Sequence, residues 1–144
     1  MTPPASLQLV RLLQLASPAL PVGAYTYSQG LEWAVESGLI RDEASAGRWI
    51  ADLLGHGIGR YEAPLVAALM EAWAAARHPE IRRLNAEFLA SRESLELRAE
   101  TVQMGFSLRR LIRDLRDERL AGVAEQIETL PEVAFPVAWS GVAA

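Results

Sequence analysis

The chain has no cysteine and no lysine, so every one of its 14 positive side chains is an arginine. Without cysteine there is no disulfide frame, no thiolate metal site and no cysteine nucleophile. Without lysine there is no Schiff-base chemistry and no phosphate-cradling lysine of the Walker type. Histidine is scarce, with only His56 and His78 present, and they do not form the paired-ligand helix face of a zinc site. Asp52 lies four residues before His56 and Glu62 six beyond it, which leaves His56 a weak metal candidate beside its plainer role as a surface or capping histidine. Long apolar runs are missing too. Arg11 and Gln14 interrupt the apolar N-terminal stretch, no basic region precedes it, and no span reaches the roughly 18 residues of a membrane helix. Neither a signal peptide nor a membrane segment is expected, and the cytoplasm is the default location. A net charge of −4 and a pI near 5.2 argue against nucleic acid as the main partner, because phosphate binding requires a basic face.

What is present is globular composition: 144 residues, 51% hydrophobic and 22% charged, one domain able to bury roughly 68% of its unfolded surface. Helical period dominates. Leu9, Leu12, Leu13 and Ala16 share a face over residues 6–16, and Pro18 and Pro21 then stop the helix. A second helix is expected from about Thr26 to Ser37, with Gly38 as its left-handed terminator. Asp42 can cap a third, striped by Trp49, Ile50, Leu53 and Leu54. Glycines 55, 57 and 59 weaken or bend its continuation. Pro64 suits the first turn of a fourth helix reaching Ala76, and a fifth follows around 80–90. Over 91–119, Leu97, Met104, Leu108, Leu111 and Leu115 form a continuous stripe. The pairs Arg92/Glu96, Arg110/Asp114 and Arg113/Asp117 are opposite charges four apart, each worth about 0.2–0.5 kcal/mol. Gly105, mid-helix, marks close packing. The final apolar stretch, VAFPVAWSGVAA, has no cap or polar tail and is expected to need more chain to pack against, as in a protein truncated at its C-terminus. The expected fold class is an all-α, compact multi-helix bundle forming a single domain over residues 1–144.

The chemistry-bearing side chains concentrate in SPALPVGAYTYSQGLEWAVE, residues 17–36. Ser28 lies in YSQG rather than a G-x-S-x-G elbow, with no histidine–carboxylate pair signposted, so a serine hydrolase is a weak alternative to a helix-capping role for Thr26 or Ser28. Glycines 55, 57 and 59 do not spell G-x-G-x-x-G and follow no strand, so no phosphate cradle is expected. Glu32 and Glu36 share a helix face, as solvated surface or a carboxylate pair. Tyr25 and Tyr27 alternate at a helix start and point in different directions. They divide evenly between core tyrosines and interface tyrosines that bury large area at low entropic cost. The arginine-rich stretch 109–119 is likewise a solvated face or a protein–protein rim.

Three stretches carry a family likeness: LLQLASPALPVGAYTYSQGLEWAVESG (12–38), RYEAPLVAAL (60–69) and ASRESLELRAETVQMGFSLRRLI (90–112). In order and spacing they resemble the UreF urease accessory proteins, across nearly the whole chain. The resemblance implies an all-helical protein without catalysis or a cofactor of its own, usually well over 200 residues long. It also implies a cytoplasmic homodimer that joins UreD (also called UreH) and the GTPase UreG and helps deliver nickel into apo-urease, with no nucleic acid and no membrane among its partners. A tyrosine matching Tyr25 belongs to the surface that recruits the GTPase. By extension Tyr27, Ser28, Gln29 and Glu32 are expected to face partners, with Pro18, Pro21 and Gly23 fixing the turn that presents them. Arg92, Glu93, Glu96 and Gly105 form a second set, structural or at an interface.

Overall fold

A computed structural model describes residues 5–28 and 30–144, the side chains of Ala5 and Tyr25 excepted. All regular structure among them is helical. Helix α1 spans Ala5–Leu15, α2 Leu31–Glu36, α3 Glu43–Asp52, α4 Ala63–Ala74, α5 His78–Ala90, α6 Leu95–Leu115, α7 Ala121–Glu128 and α8 Phe135–Ala143. Short 3-10 turns occupy Ala24–Thr26 and Glu118–Leu120, and a π-helical segment, Leu53–Glu62, joins α3 to α4 without a break.

Local chemistry sets most of these boundaries. The Asp42 carboxylate accepts from the Ser45 N–H at 2.7 Å, while the Ser45 hydroxyl accepts from the Asp42 N–H at 3.0 Å, a reciprocal cap that starts α3. Ser94 caps α6 by accepting from the Leu97 N–H at 3.2 Å, and Arg116 ends it in the left-handed region at φ 49°. Helix α2 begins later than the apolar period suggests, at Leu31 rather than near Thr26. The cause is a pair of left-handed glycines, Gly23 at φ 79° and Gly30 at φ 84°, with Tyr27 extended between them. The segment therefore makes a separate 3-10 turn before the helix. The glycine run 55–59 does not break the helix after α3 either. It widens it, so that the Ala63 N–H bonds the Ile58 carbonyl five residues back.

The core gathers on α8, which packs on α6, α4, α5, α7 and α1. Val137, Ala138, Ser140 and Gly141 are buried. A methyl group on Gly141 would meet Val123 Cγ1 at 2.8 Å and Trp73 Cε2 at 2.9 Å. This helix was expected to lack a covering; it is apolar because its neighbours already enclose it. Its entry is held by polar groups. The buried Asn85 amide donates to the Glu132 carbonyl at 2.9 Å and accepts from the Ala134 N–H at 2.9 Å. Thr101 Oγ1 accepts from the Phe135 N–H at 3.1 Å. Two tryptophans lock it laterally: Trp73 Nε1 donates to the Val137 carbonyl at 3.1 Å, and Trp139 Nε1 to the Leu15 carbonyl, also at 3.1 Å.

Helix α6 buries Thr101, Met104, Gly105, Leu108 and Ile112. Leu97 and Leu115, the ends of the expected stripe, are exposed, because the buried face ends where α8 and the 130–134 loop end. At Gly105 an added Cβ would sit 2.0 Å from the Val133 carbonyl oxygen; the backbone crosses where a side chain would otherwise stand. Of the expected helix ion pairs, Arg110–Asp114 forms at 3.7 Å. Arg113 reaches Asp114 instead of Asp117, and Asp117, beyond the left-handed Arg116, pairs with Arg119. Arg92 turns away from Glu96 to bond Glu62 at 2.9 Å, since it precedes the helix on which Glu96 sits.

Candidate partner-binding surface

The turn ahead of α2 is pinned from below. Val22 is fully buried and Leu20 and Tyr27 pack on the core. The Ser17 hydroxyl accepts from the Ala19 N–H at 3.1 Å, and Thr26 Oγ1 donates to the Gly23 carbonyl at 2.8 Å. Pro18, Pro21 and Gly23 lie exposed on its outer rim. Of the five residues expected to face partners, Glu32 is exposed, while Tyr27 and Ser28 are half-buried. The Tyr25 backbone lies in the 3-10 turn; its side chain and all of Gln29 lie outside the described residues. Ser28 accepts the Leu31 N–H through its carbonyl at 3.0 Å, while both histidines belong to other elements.

The following helix buries only Ala34. Leu31, Val35 and Leu39 are exposed, and Trp33 is 61% exposed, with the Glu32 and Glu36 carboxylates beside them. An exposed indole on a short helix that also exposes aliphatic and carboxylate side chains has the composition often found at protein interfaces. Apolar periodicity puts Trp33 on a helix without fixing which way that helix faces, so the sequence alone does not mark it as exposed.

The second set of residues lies elsewhere. The Arg92 side chain is 17% exposed, and its guanidinium lies 4.1 Å from the Phe88 ring centroid and 5.9 Å from that of Tyr61. The two rings stack at 6.2 Å and 8°. With the Arg92–Glu62 pair, this ties the start of α4 to the end of α5 and joins two of the three sequence blocks. Glu96, exposed in the first turn of α6, has its carboxyl held below the usual range by its own backbone N–H and by the Ser94 hydroxyl. Exposed Glu93 lines a cavity of about 650 Å³ between the π segment and α6, together with Leu53, Ile58, Tyr61 and Met104. The Tyr61 hydroxyl is buried without a hydrogen-bond partner among the described residues.

His56 projects from the π segment into solvent, its Nδ1 3.2 Å from the Asp52 carbonyl oxygen and 3.9 Å from Asp52 Oδ1. Glu62, the other carboxylate considered for it, is engaged by Arg92. Among the described residues, no three histidine, aspartate or glutamate side chains gather as a metal site, and no helix is long and apolar enough to cross a membrane.

Comparison with known proteins gives a consistent result. The UreF family model matches residues 40–144. The chain is 79% identical over 138 residues to the urease accessory protein UreF of Dechloromonas aromatica (strain RCB), covering 96% of this chain and 60% of that relative. It is 62% identical over 139 residues to the protein of the same description from Azoarcus sp. (strain BH72), covering 96% and 59%. To that of Methylobacillus flagellatus it is 47% identical over 138 residues, covering 95% and 60%. The chain thus spans close to 60% of the length of these relatives.

Proposed function

We propose, from the premise that the chain belongs to the UreF family, that it is a non-catalytic scaffold in urease maturation. In this reading it works in the cytoplasm as a homodimer. It joins UreD/UreH and the GTPase UreG in one assembly and helps pass nickel, as cargo, into apo-urease. Its own work is coupling: holding the nucleotide-binding and metal-passing partners so that the state of one biases the other.

The observation that carries this reading is the surface of α2. A turn anchored by Val22 and Tyr27 leads into a helix that leaves Leu31, Trp33 and Val35, as well as Glu32 and Glu36, exposed to solvent. Arginine-bearing partners suit such a surface. The test is co-purification and titration of the accessory partners with Trp33→Ala and Glu32→Ala. Truncating an anchor tryptophan costs on the order of 2 kcal/mol, about a 30-fold weaker complex. Thermal stability should hold, since Trp33 is not in the core. Unchanged affinity in both variants would remove α2 from the partner surface.

A further inference from the structure

The π segment Leu53–Glu62 is ten residues long, whereas π geometry is ordinarily confined to single-turn bulges. We propose that it is a two-register hinge, a stretch that can be wound as π or as α and that re-aims α3 when it changes. The two sides of the segment differ sharply. After it, α4 is fixed by buried Leu65, Leu69 and Ala72, and the segment's own last residues, Tyr61 and Glu62, are held by Phe88 and Arg92. Before it, α3 buries no residue. The cavity of about 650 Å³ beside Leu53, Gly57 and Ile58 gives the segment room to rewind.

The size of the motion follows from geometry. Each π turn holds about one residue more than the α turn that replaces it, because its bonds reach back five residues instead of four. Ten residues make two such turns. Rewinding them as α advances α3 by about two residues, or roughly 200° at 100° per residue. In the present register the Trp49 ring faces the entry of α2 at Gly30. A two-residue advance puts Gly47 or Ala51, both exposed now, in its place and turns the indole outward. The hinge thus decides whether α3 presents Trp49 or covers it.

The glycines of the segment are not equivalent, which makes the idea testable. A methyl group at Gly55 meets nothing within 4 Å, but at Gly59 it would lie 2.9 Å from the Leu54 carbonyl oxygen, the atom five residues back. Gly59→Ala is therefore incompatible with the π register, and Gly55→Ala is compatible with it. Deleting Gly55 and Gly59 removes one residue from each π turn and yields an α segment in which α3 keeps its present facing. Because the chain has no cysteine, spin labels on Arg48→Cys in α3 and Arg82→Cys in α5, both exposed, report the distance directly by double electron–electron resonance. In Gly59→Ala the distance should shift on the order of 10 Å, about one helix width. Gly55→Ala and the double deletion should retain the parent distance. Helix content by circular dichroism should stay within a few residues of the parent. A Gly59→Ala distance equal to the parent's, with helix content kept, overturns the hinge. Should Gly59→Ala lose helix content, the deletion decides: the parent distance there supports the two registers, and a shifted one refutes them.

Discussion

Gly105 and Gly122 show how little of a residue's cost is intrinsic. Both are helical glycines, each nominally up to about 1 kcal/mol worse than alanine. At Gly105 a methyl group would overlap the Val133 carbonyl, and neither partner is a flexible side chain that can step aside. At Gly122 it meets nothing within 4 Å. We expect Gly105→Ala to destabilise by at least about 3 kcal/mol, the upper end of overpacking costs, and Gly122→Ala to be neutral or stabilising by up to about 1 kcal/mol. Chemical denaturation of the two variants measures both. The sequence could flag Gly105 as a close-packing position because a glycine interrupts an otherwise strong helix. It could not flag Asn85 or Thr101, whose significance lies in the Glu132, Ala134 and Phe135 backbone groups they hold from 34 to 49 residues away.

At the scale of elements, the caps carry a pH dependence. The Asp42 carboxyl is held below its usual range by the Ser45 hydroxyl and then the Ser45 N–H. Asp117 is pulled down to about 2, first by the Arg119 side chain and then by its N–H. For carboxylates lowered by folding, the stabilisation is complete above the ordinary aspartate value of about 3.9 and is lost as pH falls through the folded value. Helix α3 should therefore fray as pH falls below about 4, read by amide hydrogen exchange, and Asp42→Asn should flatten that dependence. Element positions were legible wherever such local signals existed: Asp42, Pro64, Gly38 and the proline stop after α1 mark real boundaries. Two were not. Helix α2 begins late because two glycines adopt left-handed conformations that apolar periodicity does not register, and the glycine run gives a π segment rather than a bend because a wider helix satisfies the same backbone groups. The candidate surface was half legible. The stretch 17–36 stood out by composition, but which of its side chains face outward depends on Val22 and Tyr27 reaching the core.

For the whole molecule, the division is between a tight assembly around α8 and a looser N-terminal half. Helix α1 exposes Leu9, Val10, Leu12 and Leu13, and a hydrogen bond from Trp139 Nε1 to the Leu15 carbonyl ties its last residue to α8. Trp139→Phe keeps the ring packing and removes that bond, at about 1 kcal/mol. It should speed exchange of the α1 amides while barely moving the main unfolding transition. A uniform change across all helices would mean that α1 and the core unfold as one unit.

The central place of α8 also bears on the order in which the chain is made. This helix is the last to leave the ribosome among those described, yet α4, α5 and α6 all turn their apolar faces toward it. At about 5–20 residues per second, the 66 residues that follow Leu69 up to Phe135 take on the order of several seconds to emerge. During that time Leu69, Ile81 and Leu108, fully enclosed in the finished fold, have no helix to close over them. The nascent chain is thus an open shell awaiting its axle, and its vulnerability to aggregation or proteolysis is concentrated in the interval before Phe135 arrives.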